Sequence, residues 1–180
     1  MNKTALVVMT NGFEEIEAVT PIDLLRRAGT EVTIASASGS LDLTGKTEIV
    51  LRADALLDAC LENEYDLLLL PGGPGVFTLR EDTRLLGLVS SRVEAGLPVS
   101  AICAAPLLLK DAGILDGKAH TAHEAVSDEL PEMQDIAVVE DLPLITSRGA
   151  GTAFAFGLAC VRLLHGEEVA RRVANETHAD

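Results

Sequence analysis

The chain has no tryptophan, a single tyrosine (Tyr65) and only 3% aromatic residues. A core without large rings must be aliphatic, and 48% hydrophobic residues supply one, which argues against a disordered chain. Basic residues are scarce as well: 14 Lys and Arg stand against 28 Asp and Glu, a formal net charge of −14. Such a surface repels phosphate backbones and anionic lipid, and no Lys/Arg cluster offers a local exception. No nucleic acid and no membrane is expected as a partner. Cys60, Cys103 and Cys160 are odd in number and widely spaced, without a CxxC pair or a Cys/His metal spacing. A disulfide framework is therefore not expected, and reduced thiols fit a cytoplasmic protein. No apolar run approaches the roughly 20 residues that span a bilayer, and the apolar stretch after Thr4 is too short for a signal-peptide core.

What is present alternates between strand and helix patterns. Thr4–Met9 is a short apolar run followed by Asn11-Gly12 turn chemistry. A helical stretch extends from Glu14 to about Ala28, closed by Gly29, with a kink or restart expected at Pro21 after Thr20. Glu31–Ala35 reads as a second strand, Thr47–Leu51 as a short one, and 54–61 as helical. Leu67-Leu68-Leu69-Leu70 is apolar on both faces, the signature of a central parallel strand covered on both sides. A helix from Asp82-Thr83 to about Ala95, a strand over Pro98–Ile102, a helix over Ala104–Ala112 and a strand at Leu144–Thr146 follow. The tract from Ala122 to Val138 is irregular and acidic. Gly151–His165 is an apolar helix and Gly166–Asn175 a polar one. Without linker, repeat or low-complexity tract, this order predicts one domain over residues 1–180, built on a doubly wound, mostly parallel α/β sheet. Ligands of such sheets bind beyond the carboxyl ends of the strands.

Cys103 falls at one of those ends. Ala101-Ile102-Cys103-Ala104-Ala105 joins a strand to a helix, with the small residues that a strained nucleophile elbow requires on either side. There the first helical amides favour a thiolate and can hold an oxyanion. A free cysteine is more often a small core residue, and Cys60 and Cys160, in helical contexts, are read that way. Pro71-Gly72-Gly73 is either a tight turn or a source of oxyanion-binding amides. Glu14, Glu15 and Glu17 are read first as dipole complements facing solvent, although one of them can face a pocket. His120 and His123 can each reach the sheet edge, and no third ligand completes a metal site.

Together, Asn11-Gly12-Phe13-Glu14-Glu15-Ile16-Glu17, Leu70-Pro71-Gly72-Gly73, Ala101-Ile102-Cys103-Ala104-Ala105-Pro106 and Thr146-Ser147-Arg148-Gly149-Ala150-Gly151-Thr152 resemble the ThiJ/PfpI superfamily, and within it the DJ-one branch. The four motifs occur in that family's order along nearly the whole chain. The resemblance implies a flavodoxin-like sandwich with helices on both faces, shared with class I glutamine amidotransferases, and a homodimer. It places the nucleophile at Cys103, the carboxyl that bonds its sulfur at Glu17, the anion pocket at Gly72, Gly73 and Ala104, a nearby histidine at His123 and a supporting arginine at Arg148. It implies neither cofactor nor metal. Ala104 stands where peptidase-like members carry His, and the late His-x-Glu of amidotransferases is replaced by Thr-Ser-Arg-Gly, so neither activity is expected. Glu124 stands where close relatives often have Pro.

Two functions follow from the resemblance. One is a cofactor-independent glyoxalase or deglycase acting on a small dicarbonyl or glycated substrate, in which the Cys103 thiolate adds to an aldehyde and Glu17 or His123 moves the proton. The other is a non-enzymatic redox sensor or holdase-like chaperone, in which Cys103 is oxidised to a sulfinate. The expected dimer interface includes the first helix near Ile16, Val19 and Ile22, part of an i, i+3 stripe that continues to Leu25.

Overall fold

The computed structural model describes residues 2–179. Strand β1 (Thr4–Met9) leads through a turn into helix α1 (Glu15–Arg27), and β2 (Glu31–Ser36) follows. A hairpin of β3 (Asp42–Thr44) and β4 (Val50–Arg52) and the two-residue β5 (Ala55–Leu56) precede β6 (Leu67–Leu70). Next come α2 (Val76–Leu79), α3 (Thr83–Glu94), β7 (Val99–Ile102) and α4 (Pro106–Asp111). The last elements are β8 (Val138–Asp141), β9 (Leu144–Ser147), α5 (Ala153–His165) and α6 (Glu167–Glu176).

The main sheet runs β5-β2-β1-β6-β7-β9-β8, and every pairing in it is parallel except β8 with β9. Side chains on a strand alternate faces, so each strand feeds two cores. Ala5, Val7, Met9, Leu67 and Leu69 pack with buried residues of α1, α5 and α6. Leu6, Val8, Leu68 and Leu70 pack with those of α3 and α4 on the other side. This is the expected doubly wound α/β architecture, and it explains why Leu67–Leu70 is apolar throughout: all four residues are buried. The chain leaves β1 in one direction to β2 and returns on the other side of β1 as β6. That reversal opens a crevice between the carboxyl ends of β1 and β6, where a ligand site belongs.

Three local expectations are corrected. Helix α1 runs through Pro21 without a break. The ring sits where α1 crosses α5 at Gly157, so close that a Cβ on Gly157 would lie 3.1 Å from Pro21 Cα and 2.7 Å from Leu24 Cδ1. The segment 54–61 is not a helix, because Ala55 and Leu56 extend the sheet edge beside Ala35 and Ser36 and a single 3-10 turn follows. Tertiary pairing overrides local propensity there. Thr47–Leu51 is mostly turn, with Glu48 at φ 70°, and its strand begins at Val50. The stripe on α1 also divides: Ile16 and Val19 are exposed, whereas Ile22 and Leu25 lie in the core.

Candidate active site

Cys103 has φ 66°, the left-handed backbone that an elbow imposes and that costs a non-glycine residue about 1–2 kcal/mol. The bend is held on both sides. Cys103 N donates to Ser147 O at 2.9 Å, and His123 N donates to Cys103 O at 2.9 Å. Ala101 and Ala105 are fully buried beside it. The sulfur is half-buried and accepts hydrogen bonds from the backbone amides of Gly73 and Ala104. Cys60 and Cys160 are buried, as their structural reading requires.

The Gly72-Gly73 turn reaches the sulfur because nothing larger fits. A Cβ on Gly72 would lie 2.5 Å from Glu17 Oε2 and 2.6 Å from Cys103 Cβ. Gly73 has φ 99°, and a Cβ there would fall 2.5 Å from Gly12 O. Two hydrogen bonds join this turn to the loop after β1: Glu14 N to Gly72 O and Gly75 N to Gly12 O, each at 3.0 Å.

The three glutamates of the first helical turn have three different positions. Glu14 caps α1, its Oε2 accepting from Glu17 N at 2.8 Å. Glu15 is buried, and its Oε1 accepts from the Thr47 amide at 2.7 Å and the Thr47 hydroxyl at 2.6 Å, tying the β3–β4 hairpin to α1. Burial works to raise the Glu15 carboxyl, and the Thr47 bonds outweigh it, holding the group below its ordinary value. Glu17 is 1% exposed and turns inward, where Oε2 accepts from Gly72 N at 3.1 Å and the carboxyl hydrogen-bonds the Cys103 sulfur. Solvent-facing dipole complements are therefore the wrong description of Glu15 and Glu17.

Burial pushes the Glu17 carboxyl up to about 7, against the hydrogen bonds from Cys103 and Gly72. Burial, together with the charge and hydrogen bond of Glu17, pushes the Cys103 thiol up to about 12. The two groups titrate as one pair, losing a first proton near pH 7 and a second near pH 12. Between those values the pair carries one negative charge and one proton. The Gly72 amide favours that charge on the carboxylate, and the Gly73 and Ala104 amides favour it on sulfur.

His123 is exposed and stands at the rim, its Nδ1 accepting from Ala125 N at 3.1 Å. A nitrogen that accepts from an amide carries no proton, so Nε2 holds it, and the ring presents a donor to its surroundings. Arg148 is also exposed, pairs with Asp135 at 2.7 Å and lines a cavity of about 380 Å³ with His123, Glu124 and Gln134. His120 belongs to a different cavity. Gly149, which sequence reasoning passed over, lies between the two sides of the cleft. A Cβ there would be 3.3 Å from His123 Cδ2 and 3.7 Å from Glu17 Oε1. Its only sequence signal is its place next to Arg148 in the late motif. Among the described residues no group of three or more His, Cys, Asp or Glu side chains is arranged to hold a metal, and no helix is long and apolar enough to cross a membrane.

The DJ-1/PfpI family model matches residues 3–163. Protein DJ-1 homolog B of Arabidopsis thaliana is 38% identical over 176 residues, which cover 96% of this chain and 40% of the plant protein. Protein dj-1beta of Drosophila melanogaster is 36% identical over 97% of this chain and 96% of the fly protein. A protein named as a deglycase from Thermococcus kodakarensis is 31% identical over 88% of this chain and 98% of its own length. The chain thus spans less than half of the plant relative and nearly all of the other two. The crystal structure of Drosophila DJ-1beta superimposes with a TM-score of 0.96 over 100% of both chains at 34% identity. That of oxidized Toxoplasma gondii DJ-1 does so with a TM-score of 0.93 over 97% of each at 31% identity.

Proposed function

The chain belongs to the DJ-1/PfpI family, and we propose that it is a cysteine-dependent, cofactor-independent stress-response enzyme acting on reactive dicarbonyls or early glycation adducts. The observation that carries this reading is the geometry of the Glu17–Cys103 pair, a buried carboxyl held by Gly72 N beside a sulfur on a left-handed elbow. The deglycase relative supports the reaction class.

With a 2-oxoaldehyde, the sulfur adds to the aldehyde carbon while Glu17 accepts the thiol proton. The new oxyanion is held by the amides of Gly73 and Ala104 and takes the proton back, giving a hemithioacetal. Glu17 then removes the hydrogen on that carbon as a proton and returns it to the neighbouring carbon, whose oxygen receives a proton from the His123 Nε2–H. The hemithioacetal hydroxyl gives its proton back to His123 Nε2 as it becomes the thioester carbonyl. The product is a thioester of a 2-hydroxy acid. Water cleaves the C–S bond and restores the thiol, so the net change is addition of one water, with no external oxidant or reductant. Arg148 supports the mouth through Asp135. The experiment is lactate production from methylglyoxal by the purified chain and by Cys103→Ser. Product in the first and none in the second is expected; equal rates would sink the assignment.

A second reading, a redox sensor or holdase-like chaperone, is favoured by the half-buried sulfur among three hydrogen-bonding groups, which suits a sulfinate. Two equivalents of peroxide would oxidise the thiol, releasing water, and a protonated Glu17 would donate to a sulfinate oxygen. Sulfinate formed at Cys103 alone, in a protein inactive on methylglyoxal, is the result that selects it. The three free cysteines agree with a cytoplasmic location. Exposed Ile16 and Val19 on α1 and Ile49 and Val50 in the hairpin favour a homodimer, which light scattering against the 18.9 kDa of one chain tests.

A further inference from the structure

Away from Cys103, two observations converge on His120. Its residue is 4% exposed, and Nδ1 lies 2.8 Å from the carbonyl oxygen of Lys118. A carbonyl only accepts, so Nδ1 carries the proton, and in the uncharged ring Nε2 is a bare lone pair. That nitrogen is buried and has no hydrogen-bonding partner among the described residues. Buried polar atoms are paired in the great majority of cases, so an orphan acceptor implies a missing donor.

The ring lines a cavity of about 230 Å³. Leu115 and Leu130, both buried, give it an apolar wall. Its rim carries Lys110 and the carboxylates of Asp116, Glu129 and Glu132. Glu129 is already neutralised by Arg80 at 2.7 Å and Lys110 at 3.6 Å, whereas Asp116 and Glu132 form no ion pair among the described residues. The acids do not form a metal-binding group. A cation held here must therefore bind through N–H donors rather than by coordination. Two uncompensated carboxylates, on a chain of net charge −14, select a cationic donor over a neutral one. The leucine wall suits a short alkyl chain, and the volume limits its length.

We propose that the His120 cavity binds a small primary alkylammonium ion, which donates one N–H to Nε2, lays its methylenes on Leu115 and Leu130, and keeps its charge near Asp116 and Glu132. This site is independent of the chemistry at Cys103. It lies behind the strand of chain that carries His123, whose ring opens onto the other cavity.

The probe is n-butylammonium, titrated into the full chain labelled with 15N-histidine and followed by long-range NMR correlations of the imidazole nitrogens. The expected result is saturable binding with a Kd on the order of millimolar. The His120 Nε2 signal should move and those of the other histidines stay in place. Tetramethylammonium, which has charge but no N–H, and n-butanol, which lacks the charge, should each bind at least about tenfold more weakly. His120→Phe should abolish binding. The exposed Glu132→Gln, which leaves the core untouched, should weaken it about twofold to fivefold. Butanol binding as well as butylammonium, binding that leaves the His120 signal unmoved, or no saturation would each overturn the proposal.

Discussion

The two edges of the main sheet hold their loops in different ways. At the amino-terminal edge, side chains staple ordinary backbone. Arg92 donates to the carbonyls of Tyr65 and Pro98 at 2.9 and 3.2 Å, and Lys3 pairs with Asp66 at 2.8 Å. Gly29, beyond α1, has φ 92°, but a Cβ there would meet nothing within 4 Å. At the carboxyl-terminal edge the backbone itself is bent and crowded. Gly73 and Cys103 both have positive φ, and the loops after β1, β6 and β7 press against one another. Left-handed backbone is common where helices end. Left-handed backbone wedged between neighbouring loops marks the place where amides are aimed at a reacting atom.

The largest effect should come from testing that contrast directly. Gly73→Ala adds a Cβ at φ 99° and 2.5 Å from a backbone oxygen, so it should cost about 3 kcal/mol or more and suppress Cys103 reactivity. Gly29→Ala, equally left-handed but in open space, should cost about 1 kcal/mol and leave reactivity intact. Urea unfolding with matched m-values, alongside iodoacetamide labelling, measures both. Equal losses would show that crowding adds nothing to strain.

Next in size is the buried carboxyl. Glu17 titrates at about 7 in the folded chain and near the ordinary 4.5 when unfolded, so the folded state binds the extra proton between those values. Its stabilising contribution is complete below pH 4.5 and is lost as pH rises through about 7. Glu17→Gln keeps a hydrogen-bonding group but never ionises. Its stability relative to wild type should therefore improve by about 2–3 kcal/mol between pH 5 and pH 8. Removing the carboxylate should also bring the Cys103 thiol down from about 12. Parallel stability profiles, or unchanged thiol titration, would remove Glu17 from the pair.

Much of this edge was legible in the sequence, because elbows and parallel strands impose local rules. Alanines on both sides of Cys103 leave room for a sharp bend, and the doubly apolar Leu67–Leu70 suits a strand covered on both faces. Helix periodicity could not separate Glu14, Glu15 and Glu17, because their environments come from elsewhere in the chain. Glu15 is buried by Thr47 in a hairpin that sequence reading blurred, and Glu17 by a turn 55 residues away. Pro21 misled for the same reason: the surroundings of its ring include Gly157 on α5, far along the chain. Glu15 gives a smaller test. Its carboxylate, held below the ordinary value, stabilises the fold above the unfolded pKa, and that contribution is lost as pH falls through the folded one. Glu15→Gln should cost about 1 kcal/mol near neutral pH, with the difference shrinking as pH falls below the ordinary carboxylate value. A pH-independent difference would mean that the hairpin clamp does not depend on charge.

Gly149 should show the smallest change in stability and so separates access from architecture. Unlike Gly73 it has extended backbone, with φ 160°, so a side chain brings no left-handed strain. The nearest obstacle to a new Cβ is the His123 ring at 3.3 Å, and that ring is exposed and can yield by a few tenths of an ångström. The cost of Gly149→Ala should therefore stay within about 0.5 kcal/mol. The methyl would nevertheless enter the gap between His123 and Glu17, on the approach to the sulfur. Turnover of methylglyoxal should fall several-fold through KM, while the pH dependence of thiol alkylation, set by Glu17 and the two amides, stays where it was. A loss of stability like that of Gly73→Ala would show that the cleft wall is as rigid as its floor. Unchanged KM would show that substrate reaches Cys103 by another route.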